Sequence, residues 1–299
     1  MHLQGPEDST HQLGLAVAGG ACSVALSLLS SSFLSIVFGY FVPLPLYSLG
    51  LGMGIRALWI GSLVAIGLQI ILLGIAEAMT YAVAHVLPVI LICRVFLGRN
   101  PNNPSAPYPA GYLVSWYSGL AIVALLVSFM VLSNYGYRPE DLLKNLLKPA
   151  TERGLSLDFE VLERISMIFP GVVALSWVLM GIFNCYFAQR ILQKYSRNLR
   201  TFNYDYDVRF HHWWDIILVA ALMLTYLNFA QIDIFGKNLL LIACIPLYIS
   251  GVNVIYKWVK SNQLSGLWLF FCVLTSIIFV WPAVFIVGLG FVQPWLKRN

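Results

Sequence analysis

Two apolar runs, about 13 to 51 and about 55 to 98, follow one another with scarcely a charge. From residue 13 to residue 98 the charged side chains are Arg56, Glu77 and Arg94. Runs of this kind cannot sit on a water-facing surface. The whole chain shares the bias: of its 299 residues 59% are hydrophobic and 10% charged, and mean hydropathy is +0.79. Soluble domains carry about 25% charged residues, so polar groups cannot cover a globule of this composition and lipid must be its solvent over most of its length. The alternating pattern of a membrane barrel is absent, which leaves helices as the way to satisfy every backbone group in hydrocarbon. The expectation is an all-α polytopic bundle, with residues 1–299 forming one integral membrane domain.

A crossing takes about 20 residues. The first run therefore holds two spans, with Ser30, Ser31 and Ser32 as the turn, and the second holds two with a turn near Gly74 to Glu77. The proline- and asparagine-rich "GRNPNNPSAPYPAG" cannot span. A fifth span follows at about 111 to 134, closing a first group over 13–134. Residues 135–169 change character. "RPEDLLKNLLKP" carries start and stop signals for a short helix. Leu142, Leu143, Leu146 and Leu147 give it one apolar face, opposite Asp141, Lys144 and Lys148. "SLDFEVLERISMIF" reads as a second amphipathic helix. The remaining spans, within 170–299, fall at about 168 to 189, 213 to 231 and 238 to 257, with a last run at about 264 to 296 interrupted at Pro282. The count is about nine.

The formal net charge is +5, but the basic residues stand near span ends. That is a topology signal and not a nucleic-acid footprint. With the N-terminus inside, cytoplasmic loops hold Arg56; Arg94 and Arg99; Arg190, Lys194, Arg197, Arg200 and Arg209; and Lys257 and Lys260. The segment 135–169 balances its bases with acids. Lys297 and Arg298 conflict with this unless the final run is broken or re-entrant. "MHLQGPEDSTHQ" lacks the basic n-region of a cleaved signal peptide.

One stretch resists the simple reading. "FVPLPLYSLGLGMGIR", residues 41 to 56, puts Pro43, Pro45 and three glycines inside an apolar run. Proline lacks a backbone donor and glycine weakens a helix. Broken helices are tolerated in a membrane where they pack against protein or line a polar cavity. The stretch is either a kinked helix end beside a binding site or a loop between two spans.

The same residues carry a resemblance. With its P-x-P-L start and following glycines, "FVPLPLYSLGLGMGIRALWIG" resembles a stretch of the YybS-like family of predicted bacterial membrane proteins. "NLLLIACIPLYISGVNVIYKWVK" and "VGLGFVQPWLKRN" are similar to that family's penultimate span and terminal motif. An acid usually precedes the terminal tryptophan in the family; here Gln293 and Pro294 stand there. The resemblance implies a multi-pass protein of the bacterial inner membrane. It also implies a distant likeness to the S-components of energy-coupling-factor transporters, which bind a vitamin near one membrane face and depend on a separate ATPase module. No Walker motif occurs in this chain.

Polar residues inside spans are expensive and mark candidate sites. In "AEAMTYAVAHVLP" the residues Glu77, Tyr81 and His85 recur at i, i+4 and i+8, on one helix face. With Pro43 and Pro45 at its edge, this face is the candidate ligand-binding site, able to hold a polar molecule or relay a proton. The bland alternative has Glu77 reaching interfacial water and His85 bonded to a carbonyl. "DYDVRFHHWWD" gathers Asp205, Asp207, His211, His212 and Asp215. These are ligand types for a divalent metal, but Trp213 and Trp214 also suit an aromatic belt. Asn184, Asn228, Gln231 and Asn253 are isolated amides, the usual cross-links between helices. The five cysteines lack CxxC spacing and read as small packing residues. No catalytic motif is present, so no catalytic residue, metal or cofactor is assigned. Two functions remain open: a small-molecule binding or transport subunit, with lipid, a small ligand and an energising ATPase as partners, or a membrane scaffold without a ligand.

Overall fold

The computed structural model describes residues 6–29, 35–98, 110–135, 141, 143–144, 147–148, 152, 159–200, 213–227 and 230–296. Among them the regular elements are all helices. In chain order these are α1 (Pro6–Leu29), α2 (Ser35–Phe41), α3 (Leu44–Met53), α4 (Ile55–Leu73), α5 (Ile75–Leu97), α6 (Ala110–Asn134), α7 (Phe159–Lys194), α8 (Trp213–Thr225), α9 (Ala230–Ser261), α10 (Gly266–Ile278) and α11 (Val280–Leu296). Six helices among the described residues are long and apolar enough to cross a bilayer, or seven if the bent pair Gly266–Ser276 and Val280–Gln293 is one span. Val37–Met53 and Trp213–Thr225 are apolar but shorter. The expected turn at Ser30 to Ser32 lies outside the described residues.

The helices gather into two units. The first comprises Met1–Pro109 and Val178–Tyr206. Here α1 meets α4 through small residues: Ala16 and Gly20 face Gly61, and a Cβ on Gly20 would land on the Gly61 carbonyl. Ala57, Gly61 and Ala65 repeat at four-residue spacing along α4, so the two backbones come together as helices do where lipid supplies no hydrophobic drive. Leu46, Tyr47, Leu51 and Leu58 are fully buried beside this contact. The helix α4 is bracketed by Gly54 (φ 97°) and Gly74 (φ 96°), in a backbone region that residues with a Cβ rarely enter. Its 19 residues rise about 28 Å, close to the hydrocarbon thickness of about 30 Å. The expected turn between the third and fourth spans is thus a single residue, Gly74, and Glu77 already belongs to the first turn of α5.

The second unit comprises Ala110–Trp177 and Asp207–Asn299. The helices α9 and α11 touch backbone to backbone: a Cβ on Gly251 would land on the Ile286 carbonyl, and one on Gly290 on the Leu247 carbonyl. Ser250 Oγ donates to Gln293 Oε1 across the same contact. Gln293 thus serves helix packing. Trp214 is no belt residue. It is 1% exposed and its indole N–H donates to the Ala243 carbonyl at 3.0 Å. Its neighbour Trp213 packs edge-on against Trp116.

Two local expectations change. The last run breaks at Phe279, which is extended (φ −119°, ψ 134°), and the helices on either side diverge by 116°. Pro282 sits in the first turn of α11, where a missing N–H costs nothing. The described part of "SLDFEVLERISMIF", from Phe159 on, is not a separate helix but the start of α7, which runs 36 residues through Pro170. In the amphipathic segment, Asp141, Leu143, Lys144, Leu147 and Lys148 are helical, with Leu143 buried and both lysines exposed. Leu142 and Leu146 lie outside the described residues.

Candidate functional site

The proline pair explains the polar chemistry of the first unit. Pro43 and Pro45 lack the N–H groups that would serve the Gly39 and Phe41 carbonyls, and the helix breaks there, so carbonyls where α2 ends and α3 begins are left short of helical donors. In hydrocarbon such carbonyls need donors from elsewhere. Two side chains supply them. Asn184 Nδ2, on α7, donates to the Tyr40 carbonyl at 2.5 Å and to its own Met180 carbonyl at 2.8 Å. Ser23 Oγ, on α1, donates to the Val42 carbonyl at 2.6 Å. The glycines that follow have other tasks. Gly50 leaves room for the Cys93 thiol, Gly52 for Leu192, and Gly54 makes the turn.

Ser23 links this break to the predicted stripe. Its hydroxyl lies 2.5 Å from that of Tyr81. Because the serine proton is committed to Val42, the tyrosine donates. Tyr81 is 4% exposed, and its ring lies 5.3 Å from that of His85, tilted by 55°. Between them α5 widens into a single π turn over Ala82–Val86. Such turns recur at functional sites. His85 Nδ1 is buried and finds no hydrogen-bond partner among the described residues.

The structure therefore joins Tyr81, His85 and the Pro43–Pro45 break through Ser23. Glu77 stands apart. It is exposed in the first turn of α5, between the exposed Ile75 and Met79. An acid there is favoured by the helix dipole, and the regular stripe holds only from Tyr81 onward.

Other polar contributors carried no pattern in the sequence. Gln69, 1% exposed on α4, donates to Ser27 Oγ at 3.1 Å. Ser23 and Ser27, one turn apart on α1, thus tie α1 to α5 and to α4. The faint signal was two serines at i, i+4 in an apolar run. Also buried without a partner among the described residues are Asn184 Oδ1 and Gln189 Nε2.

In the second unit an amide does similar work. Asn238 Oδ1 accepts from the Gly171 N–H at 2.5 Å, while its Nδ2 donates to the Met167 carbonyl at 2.7 Å. Gly171 and Met167 are the i and i−4 partners of one helical hydrogen bond, next to Pro170. The Asn238 carboxamide is inserted into that opened rung. It also donates to Ile234 O, four residues back on its own helix, at 2.7 Å. Gly171 is needed for this approach, since a Cβ there would lie 2.7 Å from Asn238 Oδ1. Asn253 Nδ2 is buried without a partner among the described residues. Asn228 and the Gln231 side chain lie outside them.

Of the possible metal ligands, Asp205, Asp207, His211 and His212 lie outside the described residues, and Asp215 is exposed. Among the described residues no three His, Cys, Asp or Glu side chains gather around one point. No family model, no curated protein and no solved structure matches the chain.

Proposed function

We propose that the protein binds a small polar molecule at mid-depth of its first unit, as a binding or transport subunit resembling an S-component. The observation that carries this reading is His85 Nδ1, buried and unpaired among the described residues, in a π turn near the middle of a 23-residue apolar helix. A buried polar group left without a hydrogen bond costs roughly 1–3 kcal/mol. A chain retains one where something else satisfies it. In this reading Tyr81 and the break at Pro43 and Pro45 form the wall beside the ligand. Glu77, at the exposed helix end, offers a charge at the approach, and a separate ATPase module supplies energy. The YybS-like resemblance of three segments, quoted above, agrees with it.

The experiment is native mass spectrometry of the detergent-purified protein, paired with thermal unfolding. His85→Leu should leave the melting temperature unchanged or raised, because it removes an unpaired polar group, and should abolish retention of a co-purified molecule. A lowered melting temperature with retention unchanged rejects the reading. The scaffold alternative has its own support: Ser23, Tyr81 and the Asn184 amide nitrogen all spend their hydrogen bonds inside the bundle. Absence of any co-purified molecule in the wild type would favour it.

The proposal includes about nine crossings in a bacterial plasma membrane with a cytoplasmic N-terminus. The two shorter apolar helices and the bent pair, added to the six long ones, support that count. The basic residues between Arg190 and Arg209 support the orientation. Ser196 is exposed in the turn after α7. In a background lacking native cysteines, Ser196→Cys should resist a membrane-impermeant thiol reagent in intact cells and react after permeabilisation. Ready labelling in intact cells reverses the orientation.

A further inference from the structure

One end of the first unit gathers positive charge from three separate stretches of chain. After α7 the chain folds across the ends of α3 and α5. The Leu199 N–H donates to the Leu51 carbonyl at 3.0 Å. The Arg200 guanidinium donates to the carbonyls of Phe96 and Gly98. Leu192 and the Arg197 carbonyl lie over Gly52, and Leu199 lies over Gly54. Around these helix ends stand Arg56 in the first turn of α4, Arg94 in the last turn of α5, Lys194 at the end of α7 and Arg197 in the turn beyond it. All four are exposed. The ion pairs among the described residues are Glu160–Arg164 and Asp233–Lys237, both in the second unit, so no described carboxylate neutralises these four cations. Trp59, one turn from Arg56, and Tyr195, next to Lys194, are exposed. Such amphipathic rings belong at headgroup depth.

Orientation in a membrane requires only that cations lie on one side. It does not require that their loop be bonded to the ends of two other helices. Like charges fixed together repel, and a bound anion relieves the repulsion. Guanidinium groups grip phosphate through paired N–H donors. We propose that this end of the first unit is a binding surface for anionic phospholipid headgroups, with Arg56, Arg94, Lys194 and Arg197 holding the phosphate and Arg200 positioning the loop. It shares no residue with the site around His85 and stands or falls without it.

The test uses the full chain in mild detergent with equal amounts of phosphatidylglycerol and phosphatidylcholine of identical acyl chains. Bound lipid is counted by native mass spectrometry. A cation near an anionic surface favours the charged lipid by about fivefold. The wild type should therefore retain phosphatidylglycerol by at least about tenfold over phosphatidylcholine at low salt, and lose most of that preference at high salt. The triple variant R56Q/R94Q/R197Q should approach parity, while R56K/R94K/R197K should keep the preference. Parity in the wild type, an unchanged preference in the glutamine variant, or its loss in the lysine variant would overturn the proposal. So would displacement of the lipid by millimolar inorganic phosphate at constant ionic strength, which would make the site one for free phosphate. If the glutamine variant fails to fold, the salt series decides: a preference that salt does not weaken overturns the proposal.

Discussion

Replacing Asn238 by leucine is expected to lower the thermal unfolding midpoint in detergent more than any other single exchange of one polar side chain in the second unit. The size of the side chain barely changes, so the effect isolates hydrogen bonding. Asn238 holds both halves of the rung opened beside Pro170: the Gly171 N–H and the Met167 carbonyl. Leucine leaves both facing hydrocarbon. Each buried group left unsatisfied costs about 1–3 kcal/mol, so the exchange should cost about 2–6 kcal/mol in all. Measured side-chain bonds between membrane helices average only about 0.6 kcal/mol, because the unfolded reference also finds partners. The larger figure is expected here because the groups exposed are backbone groups of a helix that carries an internal proline. A double-mutant cycle separates this from a packing effect. Pro170→Ala restores the missing donor and lets Gly171 rejoin Met167, so it should recover a good part of the loss caused by Asn238→Leu. A single-mutant loss under about 0.5 kcal/mol, or no recovery in the double variant, would show that the inserted amide contributes little.

The second large effect is expected at Gly290. A methyl group there would land on the Leu247 carbonyl and lie 2.9 Å from the Gly251 nitrogen. Both obstacles are backbone, and neither can rotate away. Gly290→Ala should therefore separate α9 from α11 and strain the Ser250–Gln293 bond beside it. Overpacking of this kind costs about 1–3 kcal/mol, occasionally more. The helix supplies its own control. A Cβ on Gly288 meets nothing within 4 Å. Gly288→Ala should be neutral or stabilise by up to about 1 kcal/mol through the better helix propensity of alanine. Equal melting temperatures for the two variants would contradict the close backbone contact.

What the sequence could disclose, and what it could not, divides along a physical line. Apolar run length and the scarcity of charge are local quantities, and they led directly to a helical membrane chain. Gly54 and Gly74 were visible as breakers because their backbone conformation is their own property. Tyr81 and His85 stood out because ionisable or hydroxylated rings are rare in apolar runs. The roles of Ser23, Gln69 and Asn238 were not legible. A serine or amide in a span has no periodic signature, and its partner is a backbone or hydroxyl group elsewhere in the chain. Asn184 and Tyr40 are 144 positions apart, and Asn238 and Met167 are 71 apart. The separation of Glu77 from Tyr81 and His85 was hidden for a related reason. The i, i+4 rule assigns a direction around the helix, but exposure also depends on whether a neighbour reaches that far along it. Pro282 was read as a break because proline usually ends a helix; its place in a first turn depends on Phe279 having already ended the one before.

The inserted amide at Pro170 also bears on the order in which such a pair of residues can arise. An asparagine at position 238 facing an unbroken helix leaves only its Oδ1 without a partner, since its Nδ2 can bond the Ile234 carbonyl of its own helix. A proline at position 170 facing an apolar residue costs more, because the opened rung has nothing to close it. The two substitutions are therefore not interchangeable in time. The less costly order places the amide first and the proline second. With the proline in place, losing the asparagine leaves two backbone groups without partners. Asn184 and the Pro43–Pro45 pair have the same relation, with the Met180 carbonyl in the part of Ile234. Ancestral states reconstructed at these positions should show the amide without the proline, and not the proline without the amide.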